Sequence, residues 1–196
     1  MTKVPLVQEK IYLIIGFLSP VIFYLYGNIS VVLLLLYYAL NLKNKFVLNK
    51  KDIKITLKYF VAFLPVIFIM SFLCKLMLFE YEEQKLVLEI KKNFNNNLFF
   101  NFFLIIIVAP IIEEIVFRGL FYKTLKNFVP FVQASIISSL IFAIIHENIL
   151  SLTILFLLSL YLTWIYERTN SILYSILTHS IFNFLNLLLI YIGSNG

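Results

Sequence analysis

Long uninterrupted runs of apolar residues are the feature that most constrains how this chain folds. A helix that crosses the hydrocarbon core of a bilayer needs about 20 consecutive apolar residues. Seven stretches approach that length, at roughly residues 11–27, 29–42, 57–79, 98–122, 130–147, 149–167 and 171–193. A helix satisfies all of its backbone polar groups internally, as hydrocarbon requires. We therefore predict an all-α, polytopic membrane bundle of about seven transmembrane helices.

The composition supports a membrane protein and excludes several other classes. The chain is 62% hydrophobic and 13% charged, whereas a soluble domain is about half apolar and about a quarter charged. The net charge of +6 is interpreted as a determinant of membrane topology, so the expected partners include membrane lipid but no nucleic acid. One cysteine, Cys74, excludes an intrachain disulfide.

The distribution of basic residues predicts the orientation. Around the loop between the second and third apolar segments lie Lys43, Lys45, Lys50, Lys51, Lys54 and Lys58. An excess of lysine marks a cytoplasmic loop, which gives a multi-pass protein of the cell membrane with its N-terminus in the cytoplasm. The same threading places Arg118, Lys123, Lys126 and Arg168 at the inner side. We divide the chain into N-terminal helices and loops, 1–97, and a C-terminal membrane core, 98–193.

Two adjacent glutamates interrupt the fourth apolar segment. A carboxylate in the centre of a bilayer costs roughly 2.5–3.5 kcal/mol on insertion scales, so Glu113 and Glu114 require partners. Glu114 and Arg118 are four residues apart, which places them on one helix face as a pair. Glu113 points about 100° away from Glu114. It is therefore predicted to face a partner on another helix.

The only two histidines also lie in apolar segments, each with a second residue at helical spacing. Phe142 precedes His146 by four residues, and His179 precedes Asn183 by four. Glutamate and histidine are the residue types that activate water, and histidine and asparagine can donate to an oxyanion. The spacing therefore predicts that Glu113 and His146 form a water-activating pair.

The three patterns together resemble the CPBP family of intramembrane proteases. Glu-Glu-x-x-x-Arg, Phe-x-x-x-His and His-x-x-x-Asn occur in that order on successive apolar segments. The family, also called the Abi group, includes CAAX-type prenyl endopeptidases and bacteriocin-processing proteases. The resemblance covers roughly residues 98–193.

The resemblance implies an intramembrane endopeptidase and assigns roles to individual residues. Glu113 and His146 would activate the attacking water, while His179 and Asn183 would stabilise the oxyanion. The supporting residues would be Glu114, Arg118 and Phe142. The expected substrate is a hydrophobic or membrane-associated peptide, such as a CAAX-like tail, a leader or a pheromone peptide.

The sequence leaves the metal dependence open between a glutamate protease and a metalloprotease. No cofactor is favoured, but zinc fits the residue types, and its ligands would be Glu113, His146 and His179. The oligomeric state is not indicated by any sequence feature.

Two other functions compete with proteolysis. A proton-coupled transporter would also place glutamate and histidine in membrane helices, but it predicts repeated halves that are not seen in the sequence. A catalytically idle immunity or scaffold member of the same family is the second alternative, against which the filled motif positions argue. Glu147, beside His146, is interpreted as a helix-end carboxylate, with a role in the site as the alternative.

The position of His146 near the far end of its segment predicts a particular geometry. His146 meets Glu113 only if the fourth and fifth helices extend beyond the inner membrane surface or are tilted, and we predict the former. We therefore expect an amphipathic helical extension through Lys123–Lys126 and a cavity that opens toward the cytoplasm.

Overall fold

The protein is a bundle of helices in the part of the chain that the structure describes. The computed structural model describes residues 6–26, 48–77 and 98–194. Those ranges contain six helices and no strand: α1 (Leu6–Tyr26), α2 (Lys50–Met77), α3 (98–125), α4 (Phe131–Ile144), α5 (Ile149–Thr169) and α6 (Ile172–Ser194). The predicted all-α fold is confirmed. The predicted span at 29–42 lies outside the described residues, so six rather than seven helices are seen.

The outer surface of the bundle is apolar, as a membrane protein requires. Two helices are long and apolar enough to cross a membrane, Lys50–Cys74 and Ile172–Ile190, and two shorter apolar helices are Lys10–Tyr26 and Phe131–Ile144. On α2, large side chains such as Phe68 are exposed. Water would oppose so much exposed apolar surface, whereas lipid tolerates it.

The start of α2 corrects the predicted boundary of the third segment. The helix begins at Lys50, seven residues before the expected start, so Lys50, Lys51 and Lys54 belong to the helix rather than to the loop. The reason is a helix cap that hydropathy does not reveal, because Asn49 Oδ1 accepts a 2.8 Å hydrogen bond from the backbone N–H of Asp52.

Helix α3 is irregular along its length. It combines α-helical turns with two π-helical stretches, Leu104–Val108 and Ile115–Tyr122, on either side of the two glutamates. In the first stretch the Ala109 N–H donates to Leu104 O, five residues back. A π-helical stretch adds a residue to the turn and changes the direction of the side chains that follow it.

Helix α3 lies in the core and α1 packs closely along it. Every residue from Ile115 to Tyr122 is buried, and the Ser19 hydroxyl donates to the backbone oxygen of Val116 at 3.4 Å. Gly16 lies at the closest approach of the two helices, where a Cβ atom would collide with the side chain of Thr124. This contact requires glycine because of space, and it holds α1 against the end of α3.

Helix α5 connects the rest of the bundle. It packs extensively on α4, through buried small residues such as Ser138, and it also contacts α2 and α6. The Tyr161 ring stacks on Phe63 with a centroid distance of 4.6 Å, and its hydroxyl donates to Thr56 O at 3.1 Å. Small residues and aromatic contacts therefore set how close these helices lie.

The turn between α3 and α4 carries exposed charge. Lys126 forms an ion pair with Glu167, near the end of α5, at 2.7 Å. Arg118 does not contribute to this charged end, although the orientation argument counted it there, because its side chain is fully buried. Its charge is paired inside the bundle with that of Glu114.

Candidate active site

A buried ion pair on α3 begins the site. Arg118 Nη1 donates to Glu114 Oε1 at 2.9 Å, and both side chains have no exposed surface. Arg118 Nη2 donates to the backbone oxygen of Ser159 at 3.0 Å and to its hydroxyl at 2.8 Å. The pair predicted from the four-residue spacing is confirmed, and it also binds α3 to α5.

His179 on α6 completes the pair and connects it to the second glutamate. Its Nδ1 lies 2.9 Å from Glu114 Oε1. Because a carboxylate only accepts, Nδ1 carries the hydrogen and Glu114 Oε1 accepts from both Arg118 and His179. Nε2 of His179 faces Glu113 Oε2 at 3.7 Å. A water oxygen about 3 Å from both Nε2 of His179 and Oε2 of Glu113 would form a hydrogen bond with each.

Phe142 on α4 separates the two histidines and covers the arginine. The Arg118 guanidinium carbon lies 5.0 Å from the centre of the Phe142 ring, within the range of a cation–π contact. The same ring contacts His146 at a centroid distance of 4.8 Å and His179 at 5.9 Å. The predicted convergence of the three motifs is therefore present, with Phe142 at its centre.

His146 follows the last residue of α4 and is oriented by the end of that helix. Its Nδ1 lies 2.7 Å from the backbone oxygen of Phe142, which can only accept, so Nδ1 carries a hydrogen. In the neutral imidazole this leaves Nε2 with a free lone pair. His146 is thus held in one tautomer, with a basic nitrogen available to a neighbouring group.

Glu113 and His146 line the same cleft. The cleft has a volume of about 380 Å³, and its lining residues are Phe23, Tyr24, Glu113, Ile145 and His146. Two of these residues lie on α1, which the sequence analysis did not connect with the site. No local sequence signal identifies them, since they reach the cleft through the packing of α1 on α3.

Asn183, one turn after His179 on α6, contacts α3 directly. Its Nδ2 donates to the backbone oxygen of Ile105 at 2.9 Å. In the π-helical pattern the donor to Ile105 would be residue 110, five residues on, and Pro110 has no N–H. Asn183 therefore supplies the hydrogen bond that Pro110 cannot make, one turn before the glutamates. One N–H of its amide remains for another acceptor.

Replacing Asn183 with Ala is expected to destabilise the protein by about 1–3 kcal/mol, because Ile105 O would lose its donor in an apolar setting. The measurement is thermal unfolding in detergent micelles. Asn186→Ala, an exposed position on the same helix, serves as the matched control and should change the midpoint little. Equal shifts in the two variants would show that the Ile105 contact contributes nothing specific.

A metal site does not emerge from the described residues. Nowhere in residues 6–26, 48–77 and 98–194 do three His, Cys, Asp or Glu side chains come together as metal ligands. His179 Nδ1 is occupied by Glu114, and His146 Nδ1 by the Phe142 carbonyl. Each histidine therefore keeps Nε2 for another group, and the zinc alternative with Glu113, His146 and His179 as ligands stays a prediction.

The cleft lies at the end of the bundle opposite the Lys126–Glu167 pair. The expected extension through Lys123–Lys126 is helical as far as Leu125, with Thr124 and Leu125 buried and Lys126 exposed. The cleft is formed where α1 and α4 end, one helix length from that turn. The orientation of the chain in the membrane, and with it the expected cytoplasmic opening, stays a prediction.

The fold and the site define a helical membrane protein with a polar cluster of glutamates, arginine and histidines in its core. Residues 95–185, just under half of the chain, match the family model described as Type II CAAX prenyl endopeptidase Rce1-like. The resemblance predicted from the three motifs is confirmed over this part of the chain. The match includes every predicted site residue and excludes α1 and α2.

One relative supports the same assignment. The chain is 35% identical over 77 residues to the Bacillus subtilis (strain 168) protein named "Putative membrane peptidase YdiL", which amounts to 39% of this chain and 32% of that protein. The aligned part thus spans about a third of the length of this curated relative. No solved structure matches the chain.

Proposed function

We propose that the chain is a CAAX-type intramembrane endopeptidase that hydrolyses a peptide bond of a hydrophobic or membrane-associated peptide. The observation that carries the proposal is the position of Glu113. Its Oε2 lies 3.7 Å from His179 Nε2 on one side, and its side chain lines the cleft with His146 on the other. A carboxylate so placed has access both to incoming water and to a buried proton carrier.

The reaction uses Glu113 as the general base. A water molecule in the cleft transfers a proton to Glu113 or to Nε2 of His146, and its oxygen attacks the carbonyl carbon of the peptide. The carbonyl becomes a tetrahedral oxyanion. The captured proton then passes to the amide nitrogen as the C–N bond breaks, which releases an amine and a carboxylic acid. Positioned acid–base groups of this kind contribute about 10²–10⁴-fold to a rate.

The buried cluster provides hydrogen-bond donors where the oxyanion develops. Because Nδ1 of His179 is bonded to Glu114, a second proton on the ring would lie on Nε2, which faces Glu113. Nε2–H of His179 and the remaining N–H of Asn183 are the proposed donors to the oxyanion. Donors fixed in a water-poor site act strongly because they need no reorganisation during the reaction.

The lining of the cleft supports an apolar peptide as the substrate. Phe23 and Ile145 provide apolar walls beside the two polar groups. The volume of about 380 Å³ lies within the usual range for ligand sites. We infer recognition of an extended segment with a large apolar side chain near the cleaved bond. Prenylation of the substrate is left to experiment.

The test uses the purified protein in liposomes with two families of synthetic peptides, one with hydrophobic segments and one with farnesylated CAAX ends. Incubation in H₂¹⁸O followed by mass spectrometry is expected to show a new carboxyl terminus that carries one ¹⁸O atom. His146→Gln serves as the comparison, and we expect its rate to fall about 100-fold or more, the usual contribution of an acid–base group.

The outcomes separate the candidate functions. Products that lack ¹⁸O, or equal rates for His146→Gln and wild type, would contradict the proposed hydrolysis by this site. A farnesyl-dependent rate would assign a CAAX substrate, and cleavage of the unmodified peptides alone would assign a leader or pheromone type. Proton uptake into the liposomes without any peptide product would favour the transporter.

A further inference from the structure

We propose that Tyr24 and Glu147 form a clamp that positions His146, so that the N-terminal helix α1 completes the active site. This inference rests on the proposed function, because it assigns the clamp to the orientation of a catalytic histidine. Tyr24 and Glu147 are positioning residues, since they act through His146. The clamp lies partly outside the stretch that matches the family model, residues 95–185.

The first observation is a contact between distant parts of the chain. The Tyr24 hydroxyl, near the end of α1, donates a hydrogen bond to Glu147 Oε1 across a separation of 123 residues. Glu147 directly follows His146. Tyr24 and His146 also line the same cleft. The contact therefore joins the wall of the cleft to the backbone that carries the histidine.

The second observation is the backbone of Glu147. Its φ angle of 51° lies in the left-handed region, which a glutamate rarely adopts because the conformation is strained. Such a conformation persists only when its surroundings hold it. The Glu147 N–H donates to Ile144 O at 3.0 Å. The hydrogen bond from Tyr24 holds the side-chain carboxylate of the same residue.

The position of His146 depends on this turn as well as on α4. Helix α4 ends at Ile144, and the His146 N–H donates to Ala143 O at a long 3.3 Å. Its imidazole is fixed through Nδ1 to the Phe142 carbonyl. A shift of Glu147 would rotate the neighbouring backbone and change the direction of Nε2 in the cleft. The hydroxyl of Tyr24 opposes that shift.

The first test measures the position of His146 without any substrate. Diethyl pyrocarbonate modifies free imidazole nitrogens, and the chain has only two histidines, so mass spectrometry reports each one separately. Tyr24→Phe removes the hydroxyl and keeps the ring. We expect the rate at His146 to rise about fivefold, the population change that follows loss of an ordinary hydrogen bond, while the buried His179 stays unchanged.

Tyr26→Phe provides the matched control, because it removes a hydroxyl from the same helix at an exposed position. Its His146 rate should equal that of the wild type. An unchanged rate in Tyr24→Phe, or the same rise in both variants, would overturn the clamp.

The second test measures cleavage of the peptide that the wild type hydrolyses. Tyr24→Phe and Glu147→Ala should each lower kcat about tenfold with little change in KM, because His146 is misdirected while the cleft keeps its apolar walls. Glu147→Gln keeps an acceptor oxygen and should retain most of the activity. The double variant should be no slower than either single one, since the two side chains act as one device.

Multiplicative losses in the double variant would overturn the clamp, as would a rise in KM with an unchanged kcat. The two proposals fail in distinguishable ways. Absence of cleavage by the wild-type protein would count against the proposed function. The labelling of His146 decides the clamp in either case.

Discussion

Replacement of Glu113 by Gln is expected to abolish peptide cleavage, with kcat reduced about 10³-fold or more. The amide keeps the shape of the carboxylate and can still form hydrogen bonds, but it cannot take a proton from water. Glu113 is the carboxylate that reaches both the cleft and His179. Because its side chain is partly exposed, the substitution leaves no buried charge, and the fold should be retained.

The measurement is a full time course in liposomes at equal amounts of folded protein. Glu167→Gln is the matched control, since it also removes one carboxylate charge, but at the Lys126 pair far from the cleft. Its kcat should match that of the wild type. If Glu113→Gln cleaves at the wild-type rate, Glu113 is not the base and the proposed mechanism is wrong.

Replacement of Arg118 by Met should destabilise the protein by about 3–5 kcal/mol, which is the usual cost of breaking a buried ion pair by removing one partner. Methionine fills the volume but leaves the Glu114 carboxylate with His179 as its only described partner. The two hydrogen bonds to Ser159 on α5 are also lost. The change thus affects both the charge balance and the contact between helices.

The free energy of unfolding in micelles measures this effect, with Arg168→Met as the control at an exposed position on α5. The control should change the free energy of unfolding by less than about 0.5 kcal/mol. The stability of Arg118→Lys should lie between those of the two variants. An ammonium keeps the charge but lacks the planar guanidinium that reaches Glu114 and Ser159 together. An Arg118→Met variant as stable as the control would mean that the pair does not support the core.

The sequence predicts contacts within one helix well, because helical spacing fixes which side chains are neighbours. Glu114 and Arg118 pair as expected, and Phe142 and His146 are in contact as expected. The order of the motifs predicted the family whose model matches residues 95–185, and the apolar runs predicted five of the six described helices closely. The exception is the start of α2, which depends on the cap at Asn49.

Contacts between helices could not be predicted in the same way. The bond from Asn183 to Ile105 depends on a π-helical stretch that hydropathy cannot detect. The contact of Arg118 with Ser159 depends on how α3 and α5 cross. Tyr24 reaches Glu147 because α1 packs closely against α3, where Gly16 leaves room for the side chain of Thr124. Each depends on tertiary geometry, about which spacing within a segment says nothing.

The shared oxygen of Glu114 has a consequence for how such a site can evolve. Because this one atom accepts from both Arg118 and His179, a substitution at any of the three positions leaves a charged or polar group without its partner in the core. The effects of the three positions are therefore coupled. A lineage that replaced the three residues singly would pass through unstable intermediates, whatever the activity of the protein. The three residues should be inherited, or lost, as a block.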